Sequence, residues 1–170
     1  MSIEFVKNKF ENLTLIPESC ASNFRFFFVT ADLYSASGLM KTILPSNGIN
    51  FWGGNSKAVT FKSFLEDSSI LNDNDVIIFT SLNTLLKEEN YKGVIDIIQK
   101  NKNSKFLLEP SCESCFYDLT FKYDECNKTH KKINKILSLM SALIYESDFL
   151  KDCLSHLSPN VTLIHVPHFH

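Results

Sequence analysis

The chain has 170 residues, which is an ordinary length for one domain, and its formal net charge is −2. Arg25 is the only arginine, so clustered basic residues for holding a phosphate backbone are lacking and nucleic-acid binding is not expected. No apolar run approaches the roughly 20 residues of a membrane span. The amino-terminal residues also lack a signal-like apolar stretch, so the sequence predicts a cytoplasmic protein without a membrane span.

Short apolar runs bounded by turn residues predict six strands. In chain order these are residues 24–30, 48–52, 75–80, 105–109, 141–145 and 161–166. Most runs are continuously apolar and do not alternate with polar residues. Continuous runs are typical of strands that are buried on both faces of a parallel sheet.

Helical spacing of apolar residues between those runs predicts five helices. They cover residues 38–44, 57–65, 83–99, 131–140 and 148–157, with Asp148 as the expected N-cap of the last one. Alternating strands and helices predict an α/β class: a Rossmann-like parallel sheet with helices on both faces, in three layers. We expect a single domain over residues 1–170, with a leading segment at 1–23 and a possible insertion at 112–130.

Ligands of such sheets bind at the carboxyl ends of the strands, which directs attention to the loops that follow them. The first of these loops, residues 30–38, opens into a helix but has neither GxGxxG nor a P-loop. It therefore does not resemble a dinucleotide cradle. The helix start could still attract polar ligand groups, and the alternative is an ordinary strand-to-helix connection capped by Ser37.

The four residues Cys112, Cys115, Cys126 and His130 have the spacing C-x2-C-x10-C-x3-H. Tetrahedral zinc prefers ligands of this kind, so zinc is a possible cofactor. Free thiols in an insertion are the competing interpretation. No cofactor is otherwise expected.

Three stretches resemble the amino-terminal domain of glycosyltransferases with the two-domain GT-B fold. Residues 75–81 are similar to a buried strand of that family, and residues 141–152 to a strand and the helix after it. Residues 160–168 resemble the strand that leads into the second domain. Residues 105–111 stand where the family has a strand leading to an acceptor-side loop. The chain departs from the family at Pro167-His168, where Pro-Asn-Gly is usual.

The resemblance implies the acceptor-side half of an enzyme that transfers a sugar from a nucleotide-sugar to a glycan, lipid or other acceptor. Asp32 and Glu109 are then the candidate catalytic carboxylates. The candidate acceptor-binding residues are Tyr34, Ser35, Ser37, Gly38, Trp52, Gly53, Asn55, Ser81 and Ser111. The implied partner is a carboxyl-terminal donor-binding domain or subunit. A non-catalytic Rossmann-like binding or interaction module is the alternative.

Overall fold

A computed structural model describes residues 23–67, 71–110 and 128–166. Its centre is a six-stranded sheet in the order β2-β1-β3-β4-β5-β6, and every neighbouring pair is parallel. The strands are β1 Arg25–Thr30, β2 Asn55–Thr60, β3 Asp75–Phe79, β4 Lys105–Leu108, β5 Ala142–Tyr145 and β6 Thr162–His165. The predicted α/β class with a parallel sheet is confirmed.

Helices connect the described strands. The first, α1, is continuous and has three segments: Ala36–Gly38, the π-helical Leu39–Ile43, and Leu44–Phe51. The others are α2 Phe61–Glu66, α3 Leu82–Leu86, α4 Glu88–Lys100, α5 Lys128–Leu137 and α6 Asp148–Leu157. In the described part of the chain, every helix is too short or too polar to cross a bilayer.

The alternation of side chains along each strand divides the core between the two faces of the sheet. On the larger side, Val29, Phe79 and Leu143 belong to a buried cluster that also receives the apolar residues of α2 to α6. On the other side, Phe28, Ile78 and Ile144 form a smaller cluster, against which α1 packs Ile49. We call this second side the α1 face.

An ion pair ties β1 to β3 where both strands begin. The Arg25 guanidinium donates two hydrogen bonds to the Asp75 carboxylate, from Nε at 2.8 Å and from a terminal nitrogen at 2.6 Å. Asp75 is fully buried, and it also accepts from the backbone N–H of Asn72 at 2.7 Å. The charged pair therefore fixes the register of the two central strands, which also aligns their carboxyl ends.

The second predicted strand is wrong. Residues 48–52 do not form a strand, since α1 continues to Phe51 and a turn with Gly53 in a left-handed conformation (φ 81°) follows. The true second strand is β2, which overlaps the helix predicted at 57–65. Among the described strands β2 pairs only with β1, so it is an edge strand of this sheet, and edge strands do not need a continuous apolar run.

Helix boundaries also differ from the predictions, since α1 runs from Ala36 to Phe51 where a helix at 38–44 was expected. The helix expected at 83–99 is interrupted at Lys87, whose extended backbone (ψ 137°) separates α3 from α4. The helix expected at 131–140 begins and ends three residues earlier as α5. Ser147, and not Asp148, is the N-cap of α6, since the Ser147 hydroxyl accepts from the backbone N–H of Leu150.

Candidate functional site

The order of the strands reverses direction at β1. The chain moves from β1 to β2 on one side, and then returns to place β3 on the other side of β1. In open parallel sheets such a switch point leaves a crevice at the carboxyl ends of the two central strands, and ligands bind there. The described residues that follow β1, β3, β4 and β5 therefore form the candidate site, which we call the carboxyl edge.

Polar residues extend the backbone pairing of two strands at the carboxyl edge. The backbone N–H of Thr80 donates to the carbonyl of Val29 at 3.1 Å, and the N–H of Glu109 donates to the carbonyl of Phe79 at 2.7 Å. The ladder thus extends one residue beyond β3 and β4. Because Leu107 packs on the α1 face and Leu108 on the opposite one, alternation returns Glu109 to the α1 face.

Three charged side chains meet at this edge, and we call them the Lys41 cluster: Lys41, Glu109 and Glu146. The Lys41 ammonium donates to Glu109 Oε1 and to Glu146 Oε1, each at 2.5 Å. The side chains are 18%, 15% and 20% exposed, so the cluster is largely but not completely shielded from water. It joins α1 to the ends of β4 and β5, which lie far apart in sequence.

The environment changes the proton affinity of this cluster. Burial raises the pKa of Glu109 to about 7, aided by a hydrogen bond with Glu146, although Lys41 opposes the shift. Burial alone would lower the pKa of Lys41, but its hydrogen bonds to the two carboxylates outweigh burial and raise it. Near neutral pH, Glu109 therefore exchanges a proton readily while Lys41 stays charged.

The π-helical segment of α1 holds Lys41 in place. In this segment the backbone N–H of Leu44 donates to the carbonyl of Leu39, five residues earlier. The buried Thr42 hydroxyl donates to the carbonyl of Gly38. Single π turns inside α-helices are frequent at functional sites, because the wider turn re-aims side chains.

The loop after β1 is closed by its own polar groups. The Asp32 carboxylate accepts from the backbone N–H of Tyr34 at 2.9 Å. The Ser35 hydroxyl donates to the Asp32 carbonyl at 2.9 Å and accepts from the N–H of Gly38 at 3.0 Å. Ser35, and not Ser37, is thus the N-cap of α1.

Gly38 allows this loop to approach the helix closely. A Cβ at this position would lie 1.9 Å from the Asp32 carbonyl oxygen, a distance that no side chain tolerates. Gly38 thus admits the backbone of the loop, and its predicted contact with the acceptor stays a prediction. Tyr34, in the same loop, is 96% exposed, and Ser37 is exposed in the first turn of α1.

Trp52, Gly53 and Asn55 lie at the opposite edge of the sheet from the Lys41 cluster. Asn55 is the first residue of β2, so these residues lie at the start of a strand. The predicted strand at 48–52 would have placed them at the end of one. Trp52 is 49% exposed and contacts Phe51 edge to face at 5.4 Å. The structure therefore does not bring Trp52, Gly53 and Asn55 together with Asp32 and Glu109.

A cavity of about 210 Å³ also opens at the amino edge, lined by Arg25, Phe27 and Phe64 among others. Its guanidinium is already held by Asp75. Asp32, Glu109 and Glu146 are not among the residues that line this cavity. We therefore place the candidate site at the carboxyl edge, where these carboxylates lie.

The remaining predicted residues are divided between described and undescribed parts of the chain. Ser81 reaches the carboxyl edge as the N-cap of α3, and its hydroxyl accepts from the N–H of Thr84 at 3.3 Å. Ser111 and the three cysteines of the proposed zinc site lie outside the described residues. His130 is buried on α5.

Sequence reasoning missed Lys41 and Glu146 as site residues. Glu146 carried a signal, since it directly follows the apolar run of β5. Lys41 is the single charge within the apolar stretch 39–44, which indicates an unusual position but gives no partner. Only the crossover of α1 above the sheet brings Lys41 to Glu109, 68 residues away.

Comparison with known proteins does not assign a family or a function to the chain. No protein-family model matches the chain, and no curated protein shows significant similarity to it.

Proposed function

We propose that this chain is the acceptor-binding domain of a glycosyltransferase of the GT-B type, with the acceptor at the carboxyl edge. The observation that carries the proposal is the partly buried Glu109 carboxyl, whose pKa is raised to about 7 at the edge where such sheets bind ligands. The stretches that resemble the family support it, since they fall on β3, on β5 with α6, and on β6, in the family's order.

Glu109 has the properties of a general base for a sugar hydroxyl. A base is most effective when its pKa lies near the working pH, because it is then ionised and still binds the proton well. In the proposed reaction the acceptor oxygen attacks the anomeric carbon of a nucleotide-sugar and the nucleoside diphosphate leaves. The hydroxyl proton passes to Glu109, which is held in place by Lys41 and by its hydrogen bond with Glu146.

The donor and its second binding site belong to a carboxyl-terminal domain or subunit in this proposal. The second predicted carboxylate, Asp32, orients the loop after β1 through its bond to Tyr34. It is thus a positioning residue rather than the base.

Ligand-observed NMR on the 170-residue chain tests the proposal. The probes are the methyl glycosides of glucose, galactose, mannose and N-acetylglucosamine. We expect at least one of them to bind, and binding to weaken roughly tenfold or more in Glu109→Gln, which retains the shape but not the charge. The control is Glu88→Gln, an exposed carboxylate that pairs with Lys132. Equal binding by both variants, or no binding by any glycoside, would contradict the proposal.

A non-catalytic binding module is the second candidate, favoured by one observation. Lys41 bonds to both carboxylates, and this arrangement also serves to fasten α1 to the sheet. The two candidates differ in the pH dependence of glycoside binding. If Glu109 accepts a hydrogen bond from a sugar hydroxyl, the affinity for the glycoside changes near pH 7. If the cluster is purely structural, the affinity is independent of pH from 6 to 8.

A further inference from the structure

The cavity of about 210 Å³ at the amino edge, where the strands begin, is separate from the carboxyl edge. Residues of β1, β2 and α2 line it, together with Leu71. Pockets for drug-sized ligands usually measure roughly 300 to 1,000 Å³, so this cavity has room for a smaller molecule.

The cavity follows from the length of α2. This helix has six residues and begins directly after β2, so it lies over the ends of β1 and β2. A helix of that length spans about 9 Å, whereas a strand of the same length spans about 20 Å. Val59, near the end of β2, is buried in the cluster that α2 joins, while Lys57, on the same face two residues earlier, is exposed. Thus α2 does not cover the first half of this face.

Apolar side chains form the inner wall of the cavity. Val59 and Phe64 are 7% and 4% exposed, and Phe27 packs against the same cluster. The Arg25 guanidinium lies over the Phe27 ring, 5.4 Å from its centre. Because the buried Asp75 carboxylate already balances the charge of Arg25, this end of the cavity is ordered and planar but carries no net charge.

Two further charged residues line the cavity, Lys57 on β2 and Asp67 directly after α2, and both are exposed. Within residues 23–67, 71–110 and 128–166, neither side chain forms an ion pair or a hydrogen bond. The cavity thus presents one cation and one anion beside an apolar wall. A simple anion or cation is attracted by one of these groups and repelled by the other, whereas a molecule with both charges is attracted by both.

We propose that the amino edge is a second binding site, for a small zwitterion with an apolar body, which is the chemical class of the apolar α-amino acids. Lys57 receives the carboxylate and Asp67 the ammonium group, through charge-assisted hydrogen bonds. The apolar body packs against Phe27, Val59 and Phe64, and its burial supplies the rest of the affinity. This inference goes beyond the proposed function and does not rest on it.

An amide chemical-shift titration of the 170-residue chain with L-leucine tests the proposal. We expect saturable shifts on Lys57, Ser63 and Asp67, at concentrations on the order of 1 to 10 mM for so small a ligand. N-acetyl-L-leucine lacks the ammonium group and L-leucinamide lacks the carboxylate, so each should bind roughly fivefold more weakly. Glycine keeps both charges but has no apolar body, and it should give no saturable shift over the same concentrations.

Single substitutions identify which charge of the ligand each residue contacts. In Lys57→Met, L-leucine should bind roughly fivefold more weakly and no better than L-leucinamide. In Asp67→Asn, L-leucine should bind no better than N-acetyl-L-leucine. Lys62→Met is the matched control, since Lys62 is exposed on α2 and does not line the cavity. This variant should bind L-leucine as the unmodified chain does.

Three results would overturn the proposal. The first is that L-leucine gives no saturable shifts around the cavity. The second is that the two singly charged analogues bind as tightly as L-leucine, which would show that the charges are not read. The third is that Lys62→Met weakens binding as much as Lys57→Met does.

Discussion

At the scale of single residues, Glu109 differs from an exposed glutamate because burial disfavours its ionised form. Burial and the neighbouring Glu146 raise its pKa to about 7, so the folded chain keeps a proton that the unfolded chain releases near pH 4.5. The folded state therefore binds more protons than the unfolded state between these pH values. Its free energy of unfolding must fall as pH rises through this window.

Glu109→Gln should remove this pH dependence. In the unmodified chain we expect the contribution of Glu109 to be fully present below about pH 4.5 and lost as pH rises through 7, by on the order of 1 to 3 kcal/mol. The glutamine variant lacks the titrating group, so its stability should change less between pH 5 and pH 8. Urea denaturation at both pH values measures the difference, and equal slopes for the two proteins would show that Glu109 titrates normally.

Two glycines of α1 provide a second, paired prediction. Gly38→Ala should destabilise the fold by about 2 to 4 kcal/mol, because the new Cβ would collide with the backbone carbonyl of Asp32. Gly48→Ala has no atom within 4 Å of the new Cβ, and should stabilise α1 by about 0.5 to 1 kcal/mol. Thermal denaturation of both variants checks this. Similar effects of the two substitutions would contradict the close approach at Gly38.

Single residues of the site were predictable only where they follow a strand. Asp32 and Glu109 stand at or within two residues of the ends of apolar runs, so the carboxyl-end rule places them at this edge, and their catalytic role stays a prediction. Lys41 lies inside a helix, and its partners are set by how that helix crosses the sheet. No local pattern contains this information.

At the scale of elements, α1 is the part that local rules described least well. Its π-helical segment ends at Ile43, two residues before Pro45, where an ordinary helix would be interrupted. Helix formation then resumes to Phe51, so the isoleucine and phenylalanine at 49 and 51 serve a helix and not a strand. The strand predicted at 48–52 is wrong because a short apolar run fits either structure.

Lys41→Met should loosen the attachment of α1 to the sheet. We expect a loss of about 1 to 2 kcal/mol at pH 8, where Glu109 is mostly charged in the unmodified chain and the variant loses the ion pairs that Lys41 makes with Glu109 and Glu146. At pH 5 the loss should be smaller, since Glu109 then carries a proton. Urea denaturation together with hydrogen exchange of the α1 amides measures both effects.

A matched control for Lys41→Met exists on the surface. Lys132 pairs with the exposed Glu88, and Lys132→Met should lower stability less than Lys41→Met does, with no loss of protection in α1. If the two methionine variants show the same loss of stability and the same hydrogen-exchange protection of α1, the Lys41 cluster does not attach α1 to the sheet.

At the scale of the whole molecule, aromatic residues connect the sheet to its helices. Phe79 is fully buried in the central strand β3, and its ring lies 5.6 Å from Phe61, 5.7 Å from Phe64 and 6.4 Å from Phe106. The apolar run of β3 predicted a buried strand, but the sequence did not indicate that one ring joins α2, β3 and β4. That contact depends on the spatial order of the strands.

Phe79→Ala should therefore destabilise the whole fold, by about 3 to 5 kcal/mol, through lost burial and the cavity that remains. Met40→Ala, at a position 59% exposed on α1, should change stability by less than about 1 kcal/mol. Chemical denaturation compares the two. A small effect at Phe79 would show that the core is not organised around this ring.

The central claim concerns which edge of the sheet binds the ligand, and an amide chemical-shift titration tests it most directly. The ¹⁵N-labelled chain is titrated with the methyl glycoside that binds best. We predict that the largest shifts fall at the carboxyl edge, on the amides of Asp32, Ser81, Glu109 and Glu146. Shifts concentrated instead around Trp52 and Asn55, at the amino edge, would contradict the account.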